Sequence, residues 1–111
     1  MEGRAREIIS EELSGWPGVT EGPHRFGGIE FQFEGKEIGH LHGDTLLDLP
    51  MRKAVRDELV GSGRAKPHHI YPDSGWVSFY LTSEGDAAAA IGLLRLKYEE
   101  LVSAAKKREE G

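Results

Sequence analysis

The sequence predicts a single α+β domain, with helices packed on one face of a mostly antiparallel sheet of four or five strands. Apolar residues recur with a period of two in the middle of the chain and with helical spacing at both ends. The links between successive strands are too short for the crossovers that parallel strands need. A chain of 111 residues suits one hydrophobic core, so we expect one domain over residues 1–111, in the order α-β-β-β-α-β-β-α.

The first half of the chain predicts a helix, a long loop and a three-stranded meander. Five glycines and two prolines make the stretch from Gly15 to Gly28 a loop, because such a composition sustains neither a helix nor a strand ladder. Apolar residues at helical spacing precede it, and alternating apolar residues follow it. The predicted bounds are a helix over Glu2–Ser14 and strands over Ile29–Phe33, Lys36–His42 and Thr45–Leu49.

The second half predicts a helix, two strands and a long final helix. The first helix starts with Pro50 and ends at Gly61, and the last begins after Ser83 and ends near Arg108. The stronger strand alternates two sets of side chains. Its apolar set, Val77, Phe79 and Leu81, is predicted to face the core, so the opposite set, Trp76, Ser78 and Tyr80, is predicted to lie on an open sheet face. For Trp76 the alternative is burial beneath the Gly15–Gly28 loop, because large aromatic side chains are usually mostly buried.

The turn at Glu34 and Gly35 decides which face His40 occupies. A two-residue turn pairs Phe33 with Lys36 and Ile29 with His40, which places His40 on the core side. A three-residue turn exchanges the faces. We favour the two-residue turn because it buries Ile38.

Charge and composition exclude several classes of protein. Fourteen basic and 19 acidic residues give a net charge of −5, which argues against a nucleic-acid partner. There is no cysteine, hence no disulfide and no thiolate metal site. No apolar run approaches the roughly 20 residues of a membrane span, and the charged first residues lack a signal-peptide pattern. We therefore expect a cytoplasmic protein without a membrane partner.

Two groups of histidines are the sharpest chemical feature. His40 and His42 lie two apart on a predicted strand, so their rings share a face, and with Asp44 they could supply three ligands to a divalent metal. A His-x-His pair alone is a weak ligand signature, however. Its structural alternative is that His40 is simply packed in the core.

The second group combines His68 and His69 with a turn. Either histidine could act as a base near neutral pH, oriented by Asp73, with Ser74 as the candidate nucleophile. No G-x-S-x-G elbow surrounds Ser74, and Asp-Ser-Gly before a strand is an ordinary turn sequence. The ordinary turn is therefore the alternative to catalysis.

Our leading hypothesis is a binding or interaction module rather than an enzyme, and no cofactor is predicted. Its ligand, a small molecule or a protein chain, would meet the open sheet face and the adjoining loop. The alternative is a metal-dependent or His/Asp acid-base enzyme acting on a small substrate. The residues of the predicted ligand site are His68, His69, Asp73, Ser74, Trp76, Ser78 and Tyr80.

Four stretches of the chain carry a family resemblance: FGGIEF, KEIGHLHGD, KPHHIYPDSGWVSFYL and LLRLKYEELV. From about Trp16 to Val102 the chain resembles the small bacterial domain of the luciferase family, which has no established molecular function. Flavin-dependent luciferases are barrels of at least about 200 residues, so no flavin luciferase activity is expected. The order of elements is also similar to the MmcQ/YjbR family, on features that fall here at Pro17–Phe26, Lys36, Gly75–Val77 and Tyr98. This resemblance implies the same α+β fold and, by analogy with a double-wing fold, nucleic-acid binding as a further alternative.

Overall fold

One antiparallel sheet organises the chain. The computed structural model describes residues 4–83 and 85–110, and within them six strands lie in the order β1-β2-β3-β4-β6-β5, each antiparallel to its neighbour. A short 3₁₀ turn, Arg25–Gly27, links the first two strands. The strands are β1 Val19–His24, β2 Gly28–Phe33, β3 Lys36–His42, β4 Leu46–Pro50, β5 Lys66–Pro67 and β6 Trp76–Tyr80; the helices are α1 Ala5–Ser14, α2 Lys53–Gly61 and α3 Asp86–Glu110.

The predicted α+β class, antiparallel pairing and element order are confirmed, with one added strand. The stretch Gly15–Gly28 was predicted as a loop, but β1 forms inside it and pairs with β2 along its whole length. β1 is an edge strand, so it pairs with another strand on one side only. It therefore tolerates Gly22, and it also tolerates Pro23, which has no amide hydrogen to donate to a ladder. The predicted start of the first helix at Glu2 lies outside the described residues.

One face of the sheet carries the hydrophobic core. Leu41, Leu47 and Val77 are fully buried there, and α3 packs across β2, β3 and β4. Gly39 lets this helix approach, since a Cβ at that position would stand 3.0 Å from the Leu94 side chain. The apolar alternation of the sequence therefore correctly identifies the covered face.

The hairpin between β2 and β3 has the predicted two-residue turn. Glu34 and Gly35 both have positive φ angles, 51° and 83°, as a tight hairpin requires, and Phe33 pairs with Lys36. This part of the register prediction is confirmed.

A β-bulge in the same hairpin reverses the predicted orientation of His40. The register shifts between Phe31 and Gln32, so His40 pairs with Glu30 and not with Ile29. The extra residue, Ile38, is fully buried. The prediction that His40 points into the core was wrong because a bulge inserts one residue and exchanges the faces beyond it.

The face opposite the helices carries a polar row that crosses five strands. The strand register aligns five polar residues, one each from β2, β3, β4, β6 and β5: Glu30, His40, Asp48, Ser78 and Lys66. The connection between β5 and β6, residues 68–75, folds back toward this row.

The predicted open face is thus only partly open. Tyr80 is 43% exposed and Trp76 is half-buried, but Ser78 is fully buried, contrary to the prediction. Its hydroxyl donates to Asp48 Oδ1 at 2.7 Å, and its strand lies between β4 and β5.

Two contacts anchor residues 68–75. The Arg56 guanidinium donates to the Pro72 carbonyl, and the Met51 amide donates to the Gly75 carbonyl at 3.2 Å. A Cβ at Gly75 would stand only 2.1 Å from the Met51 carbonyl oxygen, so the backbone passes through a gap that only glycine fits.

We expect Gly75→Ala to destabilise the protein by about 1–3 kcal/mol, because the backbone must shift to relieve the overlap. Gly92→Ala is the matched control: it lies inside α3, has no atom within 4 Å of its added Cβ, and should gain about 1 kcal/mol from helix propensity. Urea denaturation of both variants measures the difference. Equal effects of the two substitutions would contradict this reading of the 68–75 connection.

Candidate metal centre

A buried carboxylate stands at the middle of the polar row. Asp48 lies between Leu47 and Leu49 in β4, and strand alternation turns it away from the core that its neighbours enter. Asp48 is 0% exposed. Its partners in the neighbouring strands are His40 of β3 and Ser78 of β6. A charge in such a position requires partners.

The two oxygens of Asp48 have different surroundings. Oδ1 accepts a hydrogen bond from the Ser78 hydroxyl at 2.7 Å. Oδ2 faces the Nε2 atoms of four imidazoles, which come from β3 and from the 68–75 connection. The distances are 2.9 Å to His42, 3.3 Å to His69, 3.4 Å to His40 and 3.5 Å to His68.

Each of these separations from Oδ2 fits a pair of ligand atoms on one metal ion. Donors about 2.1 Å from a tetrahedral ion stand about 3.4 Å from one another. In this cluster, the potential ligand atoms of His40, His42 and Asp48 all lie within 4.8 Å of one another, as do those of Asp48, His68 and His69. The four histidines and Asp48 form what we term the Asp48 cluster.

His40 is oriented by a second carboxylate. Its Nδ1 lies 2.5 Å from Glu37 Oε2, which directs Nε2 toward Asp48. A histidine that donates from Nδ1 to a carboxylate while Nε2 faces the metal is a common outer-shell arrangement. Burial lowers the pKa of His40, but hydrogen bonds to Asp48 and Glu37 outweigh it and raise that pKa to about 9.

His68 has the opposite hydrogen-bonding pattern. Its Nδ1 accepts from the backbone amides of Ile70 and Tyr71, each at 3.1 Å, so this nitrogen carries no proton. We assign the neutral tautomer with the proton on Nε2, which donates toward Asp48. Burial, together with repulsion by His69 and His40, lowers the pKa of His68 despite the nearby Asp48. With its proton on Nε2, His68 has no lone pair at that nitrogen for a metal.

His42 and His69 form the accessible side of the cluster. Their side chains are 34% and 33% exposed, against 9% for His40. A fifth histidine, His24, stacks on His40 with ring centroids 3.9 Å apart, and its Nδ1 contacts Glu30 at 3.0 Å. All five histidines of the sequence thus gather on one face of the sheet.

The cluster keeps Asp48 ionised. Burial alone would raise the pKa of Asp48, but hydrogen bonds from His40, Ser78, His69 and His42 outweigh it and hold this pKa well below its usual range. The carboxylate is therefore available as an anionic ligand at any physiological pH.

A cleft of about 410 Å³ leads from solvent to these groups. Asp48 and the five histidines line its polar part. Its other walls include Ile70, Tyr71 and Trp76, and Arg25 lies at the same cleft. This combination of a few converging polar groups and apolar walls is typical of small-ligand sites.

Of the three residues predicted to bind a metal, the structure brings two together and leaves the third apart. His40 and His42 share one face and converge on a carboxylate, as the two-residue spacing implies. That carboxylate belongs to Asp48. Asp44 lies elsewhere, where its Oδ1 accepts a hydrogen bond from the Arg6 amide at 3.0 Å.

The predicted ligand-site residues are also divided. His68, His69 and Trp76 line the cleft, and Ser78 supports Asp48 from beneath. Ser74 is occupied in the turn, where its hydroxyl donates to the Tyr71 carbonyl at 2.7 Å. Tyr80 lies at a different surface groove. Among the described residues the Asp73 carboxylate has no hydrogen-bond partner, and neither Asp73 nor Ser74 lines the cleft.

Sequence reasoning missed Asp48, Glu37 and His24. Asp48 stands in the apolar run TLLDL, whose composition predicts only a short apolar strand. The leucines on both sides of this aspartate are a signal in the sequence. Because side chains alternate along a strand, two core-facing leucines place the aspartate between them on the opposite face. His24 could not be placed, since it stood in a stretch predicted to be a loop.

Comparison with known proteins identifies one family. The family model described as "Luciferase domain" matches residues 35–97. This segment contains every residue of the Asp48 cluster and excludes His24. No curated protein and no solved structure matches the chain.

Replacing Asp48 should change the titration of His40. In Asp48→Asn the anionic acceptor is lost, so we expect the pKa of His40 to fall from about 9 toward the ordinary value of 6.5. Asp44→Asn is the matched control and should leave this pKa unchanged. Two-dimensional NMR across a pH series measures both, and an unaltered His40 titration in Asp48→Asn would contradict the description of the cluster.

Proposed function

This chain belongs to the Luciferase domain family, and we propose that it is a small metal-binding domain that holds one divalent transition-metal ion at the Asp48 cluster. The ligands are His40, His42, His69 and Asp48. The observation that carries the proposal is the convergence of several imidazole Nε2 atoms on a single buried carboxylate oxygen. The family's name supplies no activity to this argument.

Hydrogen bonding alone accounts poorly for the cluster. A carboxylate oxygen has two lone pairs, yet four imidazoles face Asp48 Oδ2, at distances of 2.9 to 3.5 Å. Most of these distances are longer than a normal hydrogen bond to a charged acceptor. An ion among the nitrogens and the oxygen would instead satisfy three imidazoles and the carboxylate together.

The surrounding groups support a metal in distinct ways. Glu37 orients the His40 ring, and Ser78 fixes the Asp48 carboxylate through Oδ1. His68 is fixed by the backbone amides of Ile70 and Tyr71, which donate to its Nδ1, and its Nε2 lies 3.5 Å from Asp48 Oδ2. These three are positioning residues.

The donor chemistry favours a particular group of ions. Three neutral imidazoles and one carboxylate suit Zn²⁺, Fe²⁺, Co²⁺ or Mn²⁺, whereas Mg²⁺ and Ca²⁺ prefer oxygen donors. We therefore expect Zn²⁺ and Co²⁺ to bind much more tightly than Mg²⁺.

This proposal refines the binding module predicted from sequence and keeps the metal-dependent enzyme as its catalytic variant. The expectations that the chain has no flavin luciferase activity and no nucleic-acid partner stay predictions, as does the likeness to the MmcQ/YjbR family. None of the helices within residues 4–83 and 85–110 combines the length and apolar character of a membrane span.

Removal of a ligand should abolish tight metal binding. We expect His42→Ala and His69→Ala to lower Zn²⁺ affinity by at least about 100-fold, and Glu37→Gln by about 10- to 100-fold. His24→Gln removes a histidine from the same face but no ligand, so it should bind zinc nearly as the wild type does. Competition titrations with a zinc chelator measure all four.

Two results of these titrations would refute the proposed site. One is a wild-type protein that, freed of metal, takes up no zinc in competition with the chelator. The other is a His24→Gln variant that loses as much affinity as His42→Ala.

Zinc binding should also displace a proton. With a pKa of about 9, His40 is protonated at pH 7, whereas a metal ligand must be neutral. We expect about one proton to leave His40 on binding at pH 7, and zinc affinity to rise with pH up to about 9. Calorimetry in two buffers of different ionisation enthalpy counts the proton. Binding without proton release would contradict the assignment of His40 as a ligand.

A further inference from the structure

A cleft of about 410 Å³ lies in front of the Asp48 cluster and is open to solvent. We propose that the bound metal accepts a fifth ligand from this cleft, in addition to its four protein ligands, and that this ligand is a small aromatic carboxylate. This inference rests on the proposed function, since it requires the metal.

The open side of the metal is set by the unequal exposure of its ligands. Within the cluster, His40 and Asp48 are buried, whereas His42 and His69 are each about one-third exposed where they line the cleft. An ion with four protein ligands can expand to five-coordinate, and the added ligand enters where the protein ligands leave the ion accessible. A metal held here is reached from solvent between His42 and His69.

The size of the cleft sets the size of the ligand. Its volume of about 410 Å³ lies near the lower end of the range for small-molecule sites. A ligand of one or two rings fits this space, and a folded protein or a duplex does not.

The walls of the cleft select a flat apolar body. Ile70 and Tyr71 are each 62% exposed, although both are large apolar side chains. Trp76 forms a further wall, with its ring centroid 5.5 Å from that of His40 and 5.8 Å from that of His68. Exposed apolar and aromatic side chains beside a polar centre indicate a surface that a ligand covers.

Charge selects an anionic head group. A divalent ion and Arg25 bring three positive charges to the cleft, against the negative charges of Asp48 and Glu37. The remaining positive charge, and the preference of a guanidinium for carboxylates, favour a monoanion that bonds to the metal and pairs with Arg25. Its aromatic body then lies along Tyr71 and Trp76.

Cobalt-loaded protein allows the ligand step to be tested separately from metal binding. Benzoate is the probe, and the visible absorption spectrum of Co²⁺ reports a change in its coordination. We expect benzoate to alter the spectrum saturably, acetate to bind about 10-fold more weakly for want of a ring, and uncharged benzamide to have no effect.

Variants locate the carboxylate. Arg25→Gln should weaken benzoate about 10-fold without reducing cobalt affinity, because Arg25 lies outside the metal ligands. Arg64→Gln is the matched control, an exposed arginine that lines a different groove, and should leave benzoate affinity unchanged.

The outcomes separate the two proposals. If cobalt binds with the expected dependence on His42 and His69 but benzoate leaves its spectrum unchanged, the ligand inference is overturned and the metal-binding function stands. Equal affinities for benzoate and acetate, or equal effects of Arg25→Gln and Arg64→Gln, would also overturn it. If cobalt does not bind, the proposed function fails and this inference falls with it.

Discussion

Asp48 carries a negative charge inside β4 with no solvent contact, and the surrounding face of the sheet is arranged to compensate for that burial. Ser78 donates to one oxygen, and the imidazoles of β3 and of the 68–75 connection gather at the other. A buried charge without such partners would cost several kcal/mol. The position of this one carboxylate therefore determines which neighbouring residues have to be polar and where the folded-back connection comes to lie.

The cluster also depends on two local backbone features that lie outside it. The bulge at Ile38 turns His40 and His42 to the side opposite the helices, so that they reach Asp48 across the β3–β4 pair. Gly75 lets the connection pass against Met51, which returns His68 and His69 to the same point. Ligand atoms from three separate segments meet only when both features are present.

Much of the fold was predictable from sequence, and the centre of the site was not. Alternation in β2 and β6 and helical spacing in α3 identify the covered face, because burial of apolar side chains follows periodicity. Periodicity cannot reveal the bulge at Ile38, which buries an apolar residue and leaves the pattern nearly intact. It also gave no reason to bring His68 near His40, since that approach depends on how residues 68–75 fold back. The predicted pair of His40 and His42 was placed on the correct strand but joined to Asp44, four residues short of Asp48.

X-ray absorption at the zinc edge of the zinc-loaded protein is the decisive test of the metal site, because it counts the atoms around the ion and identifies imidazole rings. The proposed site predicts three imidazole nitrogens and a carboxylate oxygen at about 2.0–2.2 Å, with the fourth imidazole of the cluster, that of His68, outside the coordination sphere. A spectrum with oxygen neighbours alone, or with four coordinated imidazoles, would contradict it.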